Sequence, residues 1–502
     1  MRSKKALANI IISLLYQFVA VICGLIVPRL IISTFGSSVN GLLSSITRFL
    51  GYIVLLEAGV GGVVRAALYK PLAEKSINSI SRIIKATEKF FKIIGLIFLG
   101  YLLVIAIIFS SIISNDFGYF YTFSLVLIIG VSTFFQYYFG ISYQILLQAD
   151  QRQYITNIIQ IFTMIINTIL VVLLVKFDFN IHIVKLASSI VFVFRPILLN
   201  VYVNRKYQIE KNVEPDNNAI KQRWDGLGHH IAYLLHNNTD IAILTLFANI
   251  KEVSVYSVYY MVVSSIKKLT VTFSTGLEAA FGNMIAKDEK KILDKNFRIF
   301  EFSTFSLTTI LFTSTALLIL PFVSLYTSGV TDVNYHRPIF AYALILAEAI
   351  YCIRIPYHSV VLAAGHFKET RNGAFAEAFI NVIISIILVN KLGIVGVAIG
   401  TIVAMLFRTI QYAVYLSRNI LERSIWVFVK KVIIYTLTTL LIIIVVKSMP
   451  DLILDSYISW IIYATIVTII ASIITFLVGL LFYFKEVKNI YLILKRLLRE
   501  KK

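Results

Sequence analysis

Long apolar runs fill most of the chain, and short polar or basic stretches separate them. A helix rises about 1.5 Å per residue, so crossing a bilayer takes roughly 20 apolar residues. By that measure about fourteen spans are predicted, at 6–31, 37–66, 92–114, 119–147, 153–175, 180–204, 226–248, 253–282, 299–328, 337–364, 371–390, 393–417, 427–449 and 458–484. Several exceed the minimum, which implies tilt or extension beyond the hydrocarbon. The expected class is therefore an all-α integral membrane protein. The first run follows Arg2, Ser3, Lys4 and Lys5 and continues from Ala6 to Ile31 without a small-residue cleavage site. It reads as a retained helix and not as a signal peptide.

The basic residues orient these spans. With the N-terminus in the cytoplasm, the inner segments hold 33 Lys and Arg, and the outer loops hold only Lys176, Lys251, Arg337, Lys391 and Lys447. Cytoplasmic loops are enriched in Lys and Arg, so the bias predicts an even number of spans with both termini inside.

Two stretches repeat. Leu146 to Asn157 resembles Val361 to Asn372, about 215 positions later, and Gly36 to Leu42 resembles Asn249 to Val258 at nearly the same offset. Both members of each pair have the same predicted orientation. The repeats are thus parallel, six helices each, related by an axis along the membrane normal. The expected organisation is a six-helix lobe at 1–204, a basic cytoplasmic linker at 205–225 and a second lobe at 226–420. Two additional helices at 421–484 and a basic tail at 485–502 follow.

Composition excludes several alternatives. Of 502 residues 58% are apolar and 15% charged, too few charges for a soluble protein of this size. The formal charge is +21, yet the basic residues lie between apolar runs and form no nucleic-acid patch. Cys23 and Cys352 both sit in apolar segments, which leaves no disulfide framework and no CxxC metal pair. There is no Walker A loop, HExxH pair or serine nucleophile elbow, so no catalytic residue is assigned. Gly59, Gly61 and Gly62 read as close helix packing.

Charges inside spans are the functional signal, because each is costly unless it faces water or a partner. Arg65 and Lys185 lie near span ends. Arg48, Arg195, Lys267, Lys268 and Arg354 fall near mid-depth, with Arg29 in the outer part of the first span and Arg408 in the twelfth. Glu57, Asp240, Glu278, Glu301, Glu348 and Glu377 accompany them, too few to pair them all. We therefore expect a cationic lumen, lined by Arg29, Arg48, Arg195, Lys267, Lys268, Arg354 and Arg408, that suits an anionic substrate. Arginine matches phosphate geometry in particular. Structural ion pairing between helices is the competing reading. His229, Tyr233, His236 and Asp240 share one helix face at i, i+4, i+7 and i+11, which reads as a polar lumen stripe. No ligand pattern supports a metal there. Asp240, with Glu348 second, is the candidate for coupling to a proton or Na⁺; no other cofactor is implied.

The residues also resemble a known group. Val27, Pro28, Arg29 and Leu30 lead into Phe35, Gly36, Ser37, Ser38, Val39, Asn40, Gly41 and Leu42. Leu55, Leu56, Glu57, Ala58 and Gly59 follow, with Arg65 beyond, and later Leu147, Gln148, Ala149 and Asp150. Together they look like the polysaccharide-biosynthesis flippases of the multidrug/oligosaccharidyl-lipid/polysaccharide exporter superfamily, over about residues 6–420. The resemblance implies two six-helix lobes in a V and alternating access through a cationic lumen. It also implies an undecaprenyl-diphosphate-linked oligosaccharide as substrate, a bacterial plasma membrane, and polysaccharide assembly proteins as partners. A flippase for the lipid-linked peptidoglycan precursor and a multidrug/cation antiporter of the same superfamily are the alternatives. A membrane glycosyltransferase would need catalytic acids on a sizeable outer loop, and no outer loop is long.

Overall fold

The protein is described here from a computed structural model that covers residues 2–57, 59–210, 212–219, 238–274, 277–450 and 454–499. Those residues are almost wholly helical, with no strand among them. The first helix, α1, runs Arg2–Gly51 but is interrupted at Gly36, whose φ 84 and ψ 169 lie in a region essentially reserved for glycine. Two side-chain bonds show that the chain reverses there. Lys5 Nζ donates to Asp150 Oδ1 at 2.8 Å, and Arg65 Nη1 donates to Gln148 Oε1 at 2.7 Å. Positions 5 and 65 therefore lie at one end of the molecule, and Gly36 stands midway between them. The predicted first and second spans are the two arms of this hairpin.

The second arm is not the continuous helix predicted over 37–66. It breaks after Gly51 into a turn, α2 (Val54–Glu57), and a new helix, α3 (Val60–Glu74). Gly59 precedes α3 at φ 75, a left-handed conformation that a side chain resists. The expected close packing at Gly61 and Gly62 is also corrected: a Cβ there would meet only Arg65 and Ile145 atoms at 3.7–4.0 Å, ordinary contact. Then follow α4 (Ile77–Ile112), α5 (Ser114–Phe117), α6 (Tyr119–Phe135), a π-helical turn at Gln136–Gly140 and α7 (Ile141–Ala149). The first half ends with α8 (Gln153–Lys176), α9 (Ile181–Lys206) and α10 (Asn238–Phe247). Ser76 and Asn180 cap α4 and α9 by accepting from backbone N–H groups of the first turn.

The second half repeats this order. It comprises α11 (Ile250–Ser274), α12 (Glu278–Ala286), α13 (Lys290–Tyr326), α14 (Pro338–Ala363), α15 (Phe367–Leu392) and α16 (Ile394–Asn419). The pairs α4/α13, α8/α15 and α9/α16 begin 213, 214 and 213 positions apart. The corner before α8 and the corner before α15 share one turn. Arg152 N–H closes on the Leu147 carbonyl and His366 N–H on that of Val361, with Gln151 and Gly365 at φ 57 and 78. The extra helices α17 (Trp426–Lys447) and α18 (Tyr457–Phe482) pack on α13. Leu318 of α13 joins Ile442, Val446, Val467 and Ala471 in a buried apolar cluster, and Trp460 Nε1 donates to the Leu318 carbonyl. The basic end of the chain forms a helix, α19 (Phe484–Arg499).

Eleven helical stretches among the described residues are long and apolar enough to cross a bilayer, and the first of them holds both arms of the Gly36 hairpin. α11 is outside that set because serines, tyrosines, three lysines and a glutamate dilute its apolar residues. Of the span predicted at 226–248, residues 226–237 lie outside the described residues. The chain is a multi-pass membrane protein that folds as two compact units, Met1–Leu246 and Phe247–Lys502. The division follows α10 because α10 is bonded to α1: Ser45 and Thr245 share a 2.7 Å hydrogen bond, and Arg48 Nη1 donates to Asn238 Oδ1 at 3.4 Å.

Gly36→Ala is expected to destabilise the protein by about 1–3 kcal/mol, because alanine strains the reversal. Gly24→Ala, in the same helix with nothing within 4 Å of a new Cβ, should leave the melting temperature unchanged or raise it. Thermal melts of both variants in detergent would check this, and equal loss in both would refute the role of Gly36.

Candidate functional site

The two units hold their membrane charges in different ways. In the second unit the cations meet carboxylates. Lys267 of α11 lies 2.8 Å from Glu348 of α14. Farther along α14, Arg354 lies 2.6 Å from Glu377 of α15, and Arg408 of α16 approaches that same carboxylate at 3.5 Å. The Tyr351 ring receives Lys267 at 4.5 Å and Arg354 at 4.7 Å, so it bridges the two pairs. Arg408 also donates to the Thr370 carbonyl, Gln411 Oε1 and the Tyr412 hydroxyl. This ladder ties α11, α14, α15 and α16 together with three cations on two acids. It unites four of the residues expected from the sequence, Lys267, Arg354, Arg408 and Glu348. Lys268 is exposed, because successive helical residues point about 100° apart.

A second network gathers around Glu301, one of the span acids, with cations that lie outside the expected lumen set. Glu301 of α13 is fully buried. Its carboxylate accepts two bonds from Arg423 at 2.6 and 3.2 Å, one from Lys431 of α17 at 2.7 Å and one from the Tyr357 hydroxyl. Counting Lys and Arg places Arg423 and Lys431 in a cytoplasmic segment; the chain instead turns them inward onto the acid. A buried carboxylate needs such compensation, since desolvating an ion costs several kcal/mol.

In the first unit Arg195 and Arg65 are held by neutral partners. Arg195 of α9 donates from Nε to Thr163 Oγ1 at 2.8 Å, and its guanidinium lies 4.2 Å over the Phe192 ring. Among the described residues it has no carboxylate within ion-pair distance. Arg65 bonds an amide, Gln148. Two cavities, of about 290 and 330 Å³, adjoin these arginines. Arg195, Gln160, Ser132 and Thr133 line the first, and Glu57, Arg65 and Gln148 line the second. Both are bounded by Gln136 and Gln144, whose amides bond each other at 3.2 Å. The π-helical turn that starts at Gln136 sets this pair; such turns insert a residue into an α-helix and often mark functional positions. The glutamines escaped sequence reading because an amide carries no charge, although Gln136, Gln144, Gln148 and Gln160 together form a polar signal within apolar runs.

The remaining expected residues are dispersed. Arg29 is half-buried on the first arm of α1, and Arg48 lies on the second arm against Asn238. Asp240 is buried on α10 near Tyr52, whose hydroxyl bonds Thr239. His229, Tyr233 and His236 lie outside the described residues.

Removing the charge of Glu301 leaves two cations facing each other. Glu301→Gln should cost about 3–5 kcal/mol, enough to lower the amount of folded protein sharply. Lys431→Met should cost less, because Arg423 still neutralises the acid. Detergent melting temperatures would rank the two, and the reverse order would overturn this account of the network.

No family model and no curated protein matches the sequence. Solved structures do match. The lipid II flippase MurJ, in an inward closed conformation, aligns with TM-score 0.69 and 16% identity over 95% of this chain and 100% of its own. An inward-facing multidrug resistance MATE transporter of the MOP superfamily aligns with TM-score 0.60 and 13% identity, over 80% of this chain and 95% of that one. The Vibrio cholerae MATE transporter VcmN, as a point mutant, gives TM-score 0.57 and 16% identity, over 84% and 98%. The chain has the fold of the MurJ and MATE transporters.

Proposed function

We propose that this protein is a flippase and not an enzyme. In this reading it moves an undecaprenyl-diphosphate-linked oligosaccharide from the cytoplasmic to the outer leaflet of a bacterial plasma membrane for surface polysaccharide export. Both termini are cytoplasmic, and the cycle is one of alternating access through a cationic lumen. The observation that carries the reading is Arg195, a membrane arginine beside a cavity, held by a hydroxyl and a ring with no acid in reach among the described residues. A diphosphate in transit needs a cation that no internal acid has already neutralised, and a guanidinium offers two parallel donors to phosphate oxygens. The amides and hydroxyls around it suit a sugar, whose own hydroxyls both donate and accept.

The fold likeness to a lipid II flippase favours a second reading, transport of the lipid-linked peptidoglycan precursor. That substrate shares the diphosphate, so Arg195 serves either. A multidrug/cation antiporter is less suited, because a cationic cargo is repelled by such a site.

Coupling to a proton or Na⁺ falls to Asp240 in this scheme. Glu348, the other candidate, already holds Lys267 as its counter-ion. A coupling ion biases a cycle only by binding its two states differently.

Three outcomes are expected. In liposomes, Arg195→Ala should slow headgroup flipping roughly ten- to a hundredfold, the worth of a charge-assisted bond, while the protein stays folded. Arg195→Lys should fall between, and unchanged flipping in the alanine variant would sink the reading. Reporter fusions after residues 75, 215, 290 and 370 should report cytoplasm, and those after 117, 178, 332 and 452 the outside; an external 215 fusion contradicts the orientation. Asp240→Asn should abolish dependence on an imposed ion gradient yet retain substrate binding. Full gradient dependence in that variant would make Asp240 structural.

A further inference from the structure

A third cavity, of about 400 Å³, lies at the end of the first unit where the chain begins. Lys5, Lys75, Arg152 and Lys206 line it, together with a single carboxylate, Asp150. Asp150 is fully committed: Lys5 reaches Oδ1 at 2.8 Å, while Arg152 Nε and the Tyr207 hydroxyl reach Oδ2 at 2.6 and 2.5 Å. Burial alone would raise the Asp150 pKa, but the bonds from Lys5 and Tyr207, the Lys5 charge and Arg152 together hold it below the ordinary carboxylate value. It is therefore ionised at neutral pH and offsets one cation of the four. Lys75 and Lys206 are exposed and form no ion pair among the described residues. Four like charges around one acid repel each other unless an anion joins them.

The floor of the pocket limits what that anion is. Leu72, Ile80 and Ile209 supply apolar wall, which suits an amphiphile better than a hydrated inorganic ion. Its level in the bilayer is also fixed. Just past Lys5, the first arm of α1 presents Leu7, Ile10, Leu14 and Phe18, each 59–64% exposed and therefore facing lipid. The cations thus sit where the hydrocarbon ends and the phosphates of the leaflet begin.

We propose that this pocket binds the phosphodiester headgroup of an anionic phospholipid from the adjoining leaflet. Lys75 and Lys206 contact the phosphate, Asp150 positions Lys5 and Arg152, and the first acyl carbons lie on Leu72 and Ile80. The site is distinct from the Arg195 cavity and stands whether or not the flippase reading does. It also touches the segment that follows α9. Tyr207 and Ile209 are part of its wall, and the next residues are pinned along α4: Glu210 N–H donates to Ser81 Oγ at 3.0 Å, Asn78 donates to Glu210 at 3.1 Å, and Asp216 N–H donates to the Arg82 carbonyl at 3.1 Å. A bound lipid therefore clamps the root of the linker onto the first unit.

The test uses the full chain in nanodiscs of phosphatidylcholine with and without phosphatidylglycerol. Native mass spectrometry then counts retained lipid, and melting temperature is read in parallel. Wild type should retain phosphatidylglycerol and melt higher in its presence. Lys75→Gln with Lys206→Gln should weaken retention roughly thirtyfold, while its melting temperature in pure phosphatidylcholine stays at the wild-type value. Lys75→Arg with Lys206→Arg should retain the lipid. Equal retention by the glutamine variant would overturn the proposal. So would a melting rise produced by inorganic phosphate and not by phosphatidylglycerol, since that would make the ligand a free anion.

Discussion

A charge inside a membrane must bring its own solvent, and this constraint organises most of what distinguishes the protein. Hydrocarbon offers no water, so each buried Lys, Arg or Glu has to find a counter-charge, an amide, a hydroxyl or a ring. The Glu301 network joins α13, α14, α17 and the loop after α16 through one carboxylate. The Lys267–Glu348 and Arg354–Glu377–Arg408 ladder joins four more helix faces. These bonds specify which helices are neighbours, a task that apolar packing against lipid-like surfaces performs poorly.

The two repeats solve the constraint differently. Their helices start about 214 positions apart and share even a corner turn, so the backbone plan is common. The chemistry is not. In the second unit Lys267, Arg354 and Arg408 meet acids, while in the first Arg48, Arg65 and Arg195 bond an asparagine, a glutamine and a threonine. A carboxylate neutralises a cation; an amide orients it and leaves its charge in place.

How much of this could be read in the sequence depended on the length scale of each signal. Span number, membrane class and repeat were legible because each rests on many residues: about 20 apolar positions per helix and a strong Lys/Arg bias. The Gly36 reversal was legible as a boundary between two runs. The break at Gly59 was not, since a single left-handed residue leaves the surrounding apolar pattern unchanged. Arg423 and Lys431 read as cytoplasmic because a basic cluster at a span end counts as outside the membrane, and that count does not register a chain folding back onto an acid 122 or 130 positions earlier. The Gln136–Gln144 pair was missed for the opposite reason, being neutral within an apolar run.

The Glu301 network has a further consequence in time. Its carboxylate is made 122 residues before Arg423 and 130 before Lys431. At roughly 5–20 residues per second, synthesis leaves Glu301 without either cation for about 6–24 s. Throughout that interval α13 has to keep the acid near water or headgroups, and it reaches its final depth only when the ribosome has delivered both bases. The last pair of helices therefore acts as a latch on the order of assembly: a chain truncated before Arg423 would strand a bare carboxylate in the bilayer, a mark by which membrane quality control could recognise it.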